Sequence, residues 1–303
     1  MTQRCPMQKN LIIRLPKTVL VTRRGQIPVQ AIAKAMPQPR AMPIVPMKTT
    51  KVVVVGRAQP HLSLRKAPKS KGPRIMTRDV SALSIEKIKA LRGCATGKYL
   101  VITGNGPSLS EVDLRPLKTH PRVEIMSVNK PDSRIWPTTS WLFSDTSQYK
   151  RNLSTWEDYK GMIFNSTSIP QKKNSIQMKN LAEIGFSADL TVGCHIGRSS
   201  VYAAMQVALW MGYRKIFLFG VDMCAVGGKL HFYGANPDVT AENRQKRFAL
   251  EAEYYEYAGK TLPSSDRSRY YFCSSYNQWP FVEMYNRLDH KTAVAEILTL
   301  LET

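Results

Sequence analysis

Gly104, Asn105, Gly106, Pro107 and Ser108 follow without a break on the apolar run Tyr99 to Thr103. Glycine permits a tight bend and a close approach, and proline pre-sets φ. Ser108 or Ser110 can cap a helix whose first turn carries Glu111 and Asp113. A strand, a glycine turn and a helix N-terminus present free N–H groups and a positive helix end to an anion, and Asn105 and Ser108 add side-chain hydrogen bonds. The spacing is neither the three-glycine dinucleotide fingerprint nor a phosphate-binding loop with its lysine. The same residues also read as a Gly-Pro turn that joins strand to helix and holds nothing.

Two further groups could do chemistry. Arg198 and Ser199 precede a run of small and apolar residues, Ser200 to Met211, that Gly212 stops. A cation at a helix N-terminus is repelled by the helix end, so its placement makes sense if a second anion binds there; otherwise Arg198 is an exposed arginine. Asp222, just after the apolar run Lys215 to Phe219, can hold a hydroxyl or a metal, or brace its turn. His231 and Tyr233 lie on the loop that follows. An imidazole can take a proton from a hydroxyl near neutral pH, and a phenol can donate to a departing phosphate. Ser274 and Ser275 follow the late apolar run YYFC.

The elements that must position these residues are legible in outline. Short β-branched and apolar runs at Tyr99 to Thr103, Val123 to Val128, Ser140 to Phe143, Met162 to Asn165, Lys215 to Phe219 and Tyr270 to Cys273 read as buried strands. Helices are predicted at 81–91, 109–118, 200–211, 241–258 and 292–301. Strands ending in polar residues (Asn129, Asp145, Asn165) suit a doubly wound, mostly parallel α/β sheet, because ligands of such sheets sit beyond the carboxyl ends of the strands. Each of those residues can instead cap a turn.

Of 303 residues, 43% are hydrophobic, enough for a genuine core, while the formal charge is +22. About twenty Lys and Arg fall in residues 1–97, against only Asp79 and Glu86. Residues 1–80 are accordingly expected to form a basic, proline-rich arm, extended or disordered, with Val52 to Val55 able to add as an edge strand. The arm is either a solvated tail or a segment that meets a nucleic acid, an anionic surface or a protein assembly. It lacks aromatic residues, which leaves phosphate contact as its nucleic-acid mode. Five scattered cysteines without a CxxC pair suggest neither a zinc site nor a disulfide framework, and no apolar run approaches a membrane span. A cytoplasmic protein is expected.

Taken in order, VITGNGPSLSEVDL, Asn129 after the second strand, GRSSVYAAMQVALWMGYRKIFLFGVD and YYFCSSYN resemble the bacterial sialyltransferases of glycosyltransferase family 42. They are similar also to the archaeal-type 6-hydroxymethylpterin pyrophosphokinase-like proteins, some of them encoded by bacteriophages. The likeness covers about Lys98 to Leu288. It implies a Rossmann-like nucleotide-binding transferase domain over 81–303 and, for a phage-encoded member, a place in the host cytoplasm or the virion. It also implies a nucleotide-sugar donor bound at Asn105, Gly106, Ser108, Asn129 and Ser199, without a cofactor or metal, and Gly104 belongs to the same turn. Arg198 joins that site by its place at a helix N-terminus, and Asp222, Ser274 and Ser275 by their position after strands. The pyrophosphokinase likeness implies Mg²⁺ instead, with Asp145 and Asp222 as the carboxylates at hand. The chain departs from the sialyltransferase pattern at Cys224, where a tyrosine is expected, and in having no histidine between Asn236 and Asp289 for the family's base. His231 and Tyr233 are the nearest substitutes for base and phosphate donor. A catalytically degenerate domain joined to the basic arm is the remaining alternative.

Overall fold

A computed structural model describes residues 79–234 and 240–302. The arm and its Val52 to Val55 strand lie outside the described residues.

The chain enters through α1 (Ala82–Leu91), capped by the Ser81 side chain accepting from Ser84 N–H, and passes into β1 (Tyr99–Thr103). A five-residue 3₁₀ turn (Pro107–Glu111) and the short α2 (Arg115–Lys118) lead to β2 (Val123–Val128) and β3 (Ser140–Phe143). Then come α3 (Thr146–Arg151), α4 (Leu153–Asp158), β4 (Met162–Ser166) and β5 (Ser175–Met178). A two-residue pair, β6 (Asn180–Leu181) with β7 (Cys194–His195), precedes α5 (Ser200–Met211) and β8 (Lys215–Phe219). The long α6 (Ala241–Thr261), α7 (Ser264–Arg267), β9 (Tyr270–Cys273), β10 (Asn286–Leu288) and α8 (Ala293–Glu302) complete the chain.

Eight strands form one sheet in the order β10-β9-β8-β1-β2-β3-β4-β5, every neighbouring pair parallel. This is an α/β Rossmann-like fold. The chain builds outward from β1 to β5, then crosses back to lay β8 on the other side of β1. The order reverses between β1 and β8, the kind of position at which neighbouring strand-end loops part and leave a crevice.

Alternation along the central strands explains why both faces are covered. Leu100, Ile102, Ile216 and Leu218 point into one apolar layer with α1, α5 and α6, and Tyr99, Val101, Phe217 and Phe219 point into the other with α8. α5 is apolar nearly all round because it is sunk in the first layer: Ala203, Ala204 and Ala208 are fully buried and let its axis come close to the sheet. Gly212 ends it in the left-handed region at φ 80°, and a Cβ there would stand 3.1 Å from Cα of Gly93. Gly212→Ala is expected to cost about 1–2 kcal/mol, read as a lower urea midpoint with an unchanged slope.

One expectation is corrected here, and two strands were not foreseen. The helix predicted over 109–118 is instead the 3₁₀ turn and the four-residue α2, because Pro116 lacks the N–H that a continuous helix would need and is tolerated only in a first turn. The edge strands β5 and β10 carry too few apolar residues (SIQM, NRL) to announce themselves, and pairing with β4 and β9 is what makes them strands.

Candidate functional site

Loops leaving the carboxyl ends of β1, β2, β3, β4 and β8 surround a cleft of about 670 Å³, closed on its remaining sides by the start of α5 and one face of α6. Asn105, Gly106, Asn129, Arg198, Ser199, Asp222, His231 and Tyr233 all line it. Gly104, Ser108, Ser274 and Ser275 do not.

The glycine turn after β1 is not the anion cradle its sequence suggests. Gly104 N–H donates to the Phe219 carbonyl at 2.8 Å and Gly106 N–H to the Gly220 carbonyl at 2.7 Å. Ser108 gives both its N–H (2.7 Å) and its hydroxyl (2.5 Å) to the buried Asp222 carboxylate, which also takes the Ser274 hydroxyl at 2.5 Å. A Cβ on Gly104 would meet the Gly220 carbonyl, and one on Gly106 the Asp222 carboxylate, each at 2.5 Å. The glycines therefore admit the β8 loop rather than a phosphate. With only a 3₁₀ turn following, no helix end stands behind them. Asp222 is the brace of that joint. Ser275 is likewise occupied elsewhere, its hydroxyl 2.7 Å from His290 Nδ1.

The same clamp steadies the next loops. Asn105 Nδ2 donates to the Lys130 carbonyl at 2.9 Å, tying the β1 loop to the β2 loop, and Phe232 N–H donates to the Asn105 carbonyl at 3.0 Å, drawing the His231 loop over the cleft. Among the described residues, left-handed backbone outside glycine occurs at Asn129 (φ 56°), Arg198 (φ 57°) and Met223 (φ 51°), all three on the cleft wall. Asn129 holds its backbone through Leu142 and the Trp141 indole, yet its Oδ1 is buried with no hydrogen-bond partner.

The electrostatic side of the cleft lies where α5 begins. Ser199, Ser200 and Val201 face it, and the first-turn N–H groups of a helix have no partner within the helix. The Ser199 hydroxyl spends nothing on capping and lies 3.3 Å from the Tyr255 hydroxyl. On α6, Arg244, Arg247 and Glu251 present one face, at spacings of three and four residues. Arg247 donates Nε to Glu251 at 3.0 Å and Nη2 to the Arg198 carbonyl at 2.8 Å. Arg244 lies over the Phe248 ring at 4.8 Å with a buried, unpartnered Nε–H. Burial pushes the Glu251 carboxyl up, against the pull of Arg247, Arg244 and Arg198.

His231 stacks on Tyr233 at 5.0 Å, and the Lys130 ammonium sits 4.5 Å over the same phenol. Burial, then the charges of Arg244 and Arg247, lower the His231 pKa to about 4, so its imidazole is neutral at physiological pH. Burial raises Cys224 to about 11, which keeps it a thiol.

Asp145 lines the cleft but caps α3, accepting from Ser147 N–H at 2.7 Å. Asp222 is committed to three donors. Among the described residues no group of three or more His, Cys, Asp or Glu side chains converges as a metal site would.

Sequence reading missed the α6 face entirely, treating that helix as packing. The signal was available in Arg244, Arg247 and Glu251 at helical spacing, but which way that face points depends on the crossover from β8. The hydroxyls Ser166, Thr167 and Ser168 at the end of β4 were also missed.

Fold and site together define an open, all-parallel α/β protein with a polar, arginine-bearing cleft at its order reversal. No protein-family model, curated protein or solved structure matches this chain.

Proposed function

We propose that the chain is a nucleotide-sugar-dependent glycosyltransferase, similar to the family 42 sialyltransferases, with its donor held in the cleft over the ends of β1, β2 and β8. One observation carries this reading: the start of α5, the arginines Arg198, Arg244 and Arg247, and a neutral imidazole all face a single cleft of ligand size. The helix start and the arginines suit a phosphate; the imidazole suits removal of a proton from an acceptor hydroxyl. The commitment of Asp222 to Ser108 and Ser274 weakens the Mg²⁺-dependent pyrophosphokinase alternative, which needs that carboxylate free.

Melting of the full chain with nucleotide sugars and with ATP, each with and without Mg²⁺, tests the reading. At a hundredfold excess over Kd a donor that binds only the folded form adds roughly 2.7 kcal/mol, or a rise of roughly 5–10 °C for a domain this size. The expected result is a rise with a nucleotide sugar that Mg²⁺ does not change. A rise with ATP only when Mg²⁺ is present supports the pyrophosphokinase. No rise with any of them, together with tight and steeply salt-dependent binding of nucleic acid, supports a non-catalytic domain served by its basic arm.

A further inference from the structure

The balance of fixed charges where α5 meets α6 says more than that an anion binds. Arg198, Arg244 and Arg247 all act on the Glu251 carboxylate, which is nearly buried and paired with Arg247. The other two carboxylates of the cleft wall keep their charge but stand elsewhere on it, Asp222 on the β8 loop with its three neutral donors and Asp145 at the α3 cap. At the α5–α6 corner three guanidinium groups thus meet one carboxylate, with the fourth arginine of the cleft, Arg151, acting at Tyr233, and the first turn of α5 adds partial positive charge beside them. That surplus matches a dianion better than a monoanion. A nucleoside monophosphate joined to a sugar is a phosphodiester with one charge; freed of the sugar it is a monoester with two.

We propose that Arg198, Arg244 and Arg247, with the start of α5, form a leaving-group site that stabilises the second negative charge appearing on the phosphate as the sugar departs, and that Glu251 is their resident counter-charge. The inference rests on the glycosyltransferase reading. In the step it serves, the bond from the anomeric carbon to the phosphate oxygen breaks and its electron pair stays on that oxygen. The acceptor hydroxyl oxygen bonds to the anomeric carbon and its proton passes to the neutral imidazole of His231. A site tuned to the doubly charged product holds the transition state more tightly than the donor, which is the condition for faster turnover. It supplies from α6 what a phenol would have supplied at the position of Cys224.

The test compares, on the full chain, the four common nucleoside 5′-monophosphates with their phosphate monomethyl esters, which keep base and ribose and lose one charge. For the base that binds, the monoester is expected at least tenfold tighter by calorimetry. Arg244→Ala and Arg247→Ala each weaken the monoester tenfold or more and the methyl ester less than threefold, with ligand-free melting run on each variant. Glu251→Gln, which keeps an acceptor for Arg247, tightens the monoester several-fold. The wild-type comparison stands even if a variant fails to fold. A methyl ester bound as tightly as its monoester, or arginine variants that weaken both forms equally, overturns the leaving-group site and leaves the nucleotide reading intact. If no member of either series binds, the nucleotide reading itself falls.

Discussion

Asp222→Ala is expected to lower the stability of the fold by about 3–5 kcal/mol, the largest effect of any single side-chain truncation at the cleft. The carboxylate is 1% exposed and receives the Ser108 N–H, the Ser108 hydroxyl and the Ser274 hydroxyl. Alanine leaves three buried donors without an acceptor, and the Ser108 N–H is fixed by the backbone and cannot turn elsewhere. Asparagine is far milder. Its oxygen can keep the Ser108 N–H while its NH₂ faces two hydroxyls that rotate to accept, so Asp222→Asn is expected to cost about 1 kcal/mol. Urea unfolding separates the two variants. Equal losses would show that charge, not acceptor count, holds the joint, and a loss below about 1 kcal/mol for alanine would show that the β1 and β8 loops need no brace. Ligand binding falls with Asp222→Ala as well, because those two loops frame the cleft.

His231→Ala is expected to lower turnover by about 10²–10³-fold, the range of a positioned general base, while leaving donor affinity within a few-fold. Turnover is followed as release of nucleoside monophosphate from whichever nucleotide sugar raises the melting temperature. The pH profile gives a sharper signature. In the free protein burial and the charges of Arg244 and Arg247 lower the imidazole to about 4, so kcat/KM is flat on its acid side down to about pH 5. A bound phosphate neutralises those arginines and lets the imidazole rise, so the acid limb of kcat lies at higher pH than that of kcat/KM. Coincident limbs, or an alanine variant with undiminished turnover, would remove His231 from the reaction. The same shift bears on folding. The unfolded chain binds the proton near 6.5 and the folded chain only near 4, so His231's contribution to stability is complete above pH 6.5 and is lost as pH falls toward 4.

Much of the scaffold could be read before any coordinates. The strands β1, β2, β3, β8 and β9 and the bounds of α5 coincide with apolar runs and their stop signals, since a strand buried on both faces must be apolar throughout and a helix needs Gly212 to leave it. What could not be read is who takes each hydrogen bond. Gly104, Gly106 and Ser108 look alike whether their N–H groups meet a phosphate or the Phe219 carbonyl, the Gly220 carbonyl and the Asp222 carboxylate, and those acceptors lie more than a hundred residues away along the chain. Arg244 and Arg247 look like any solvated helix face until α6 is laid across the cleft.

An apolar, parallel α/β scaffold and the polar residues released at its strand ends follow from periodicity and turn chemistry within a dozen residues, and so are legible in the chain itself. Which of those residues brace the loops and which face the cleft is set by the folding of distant segments onto one another. A donor's partner is settled by packing between distant segments, and the crossing from β1 to β8 puts Asp222 under the glycine turn while leaving Arg198, Arg244 and Arg247 around the cleft.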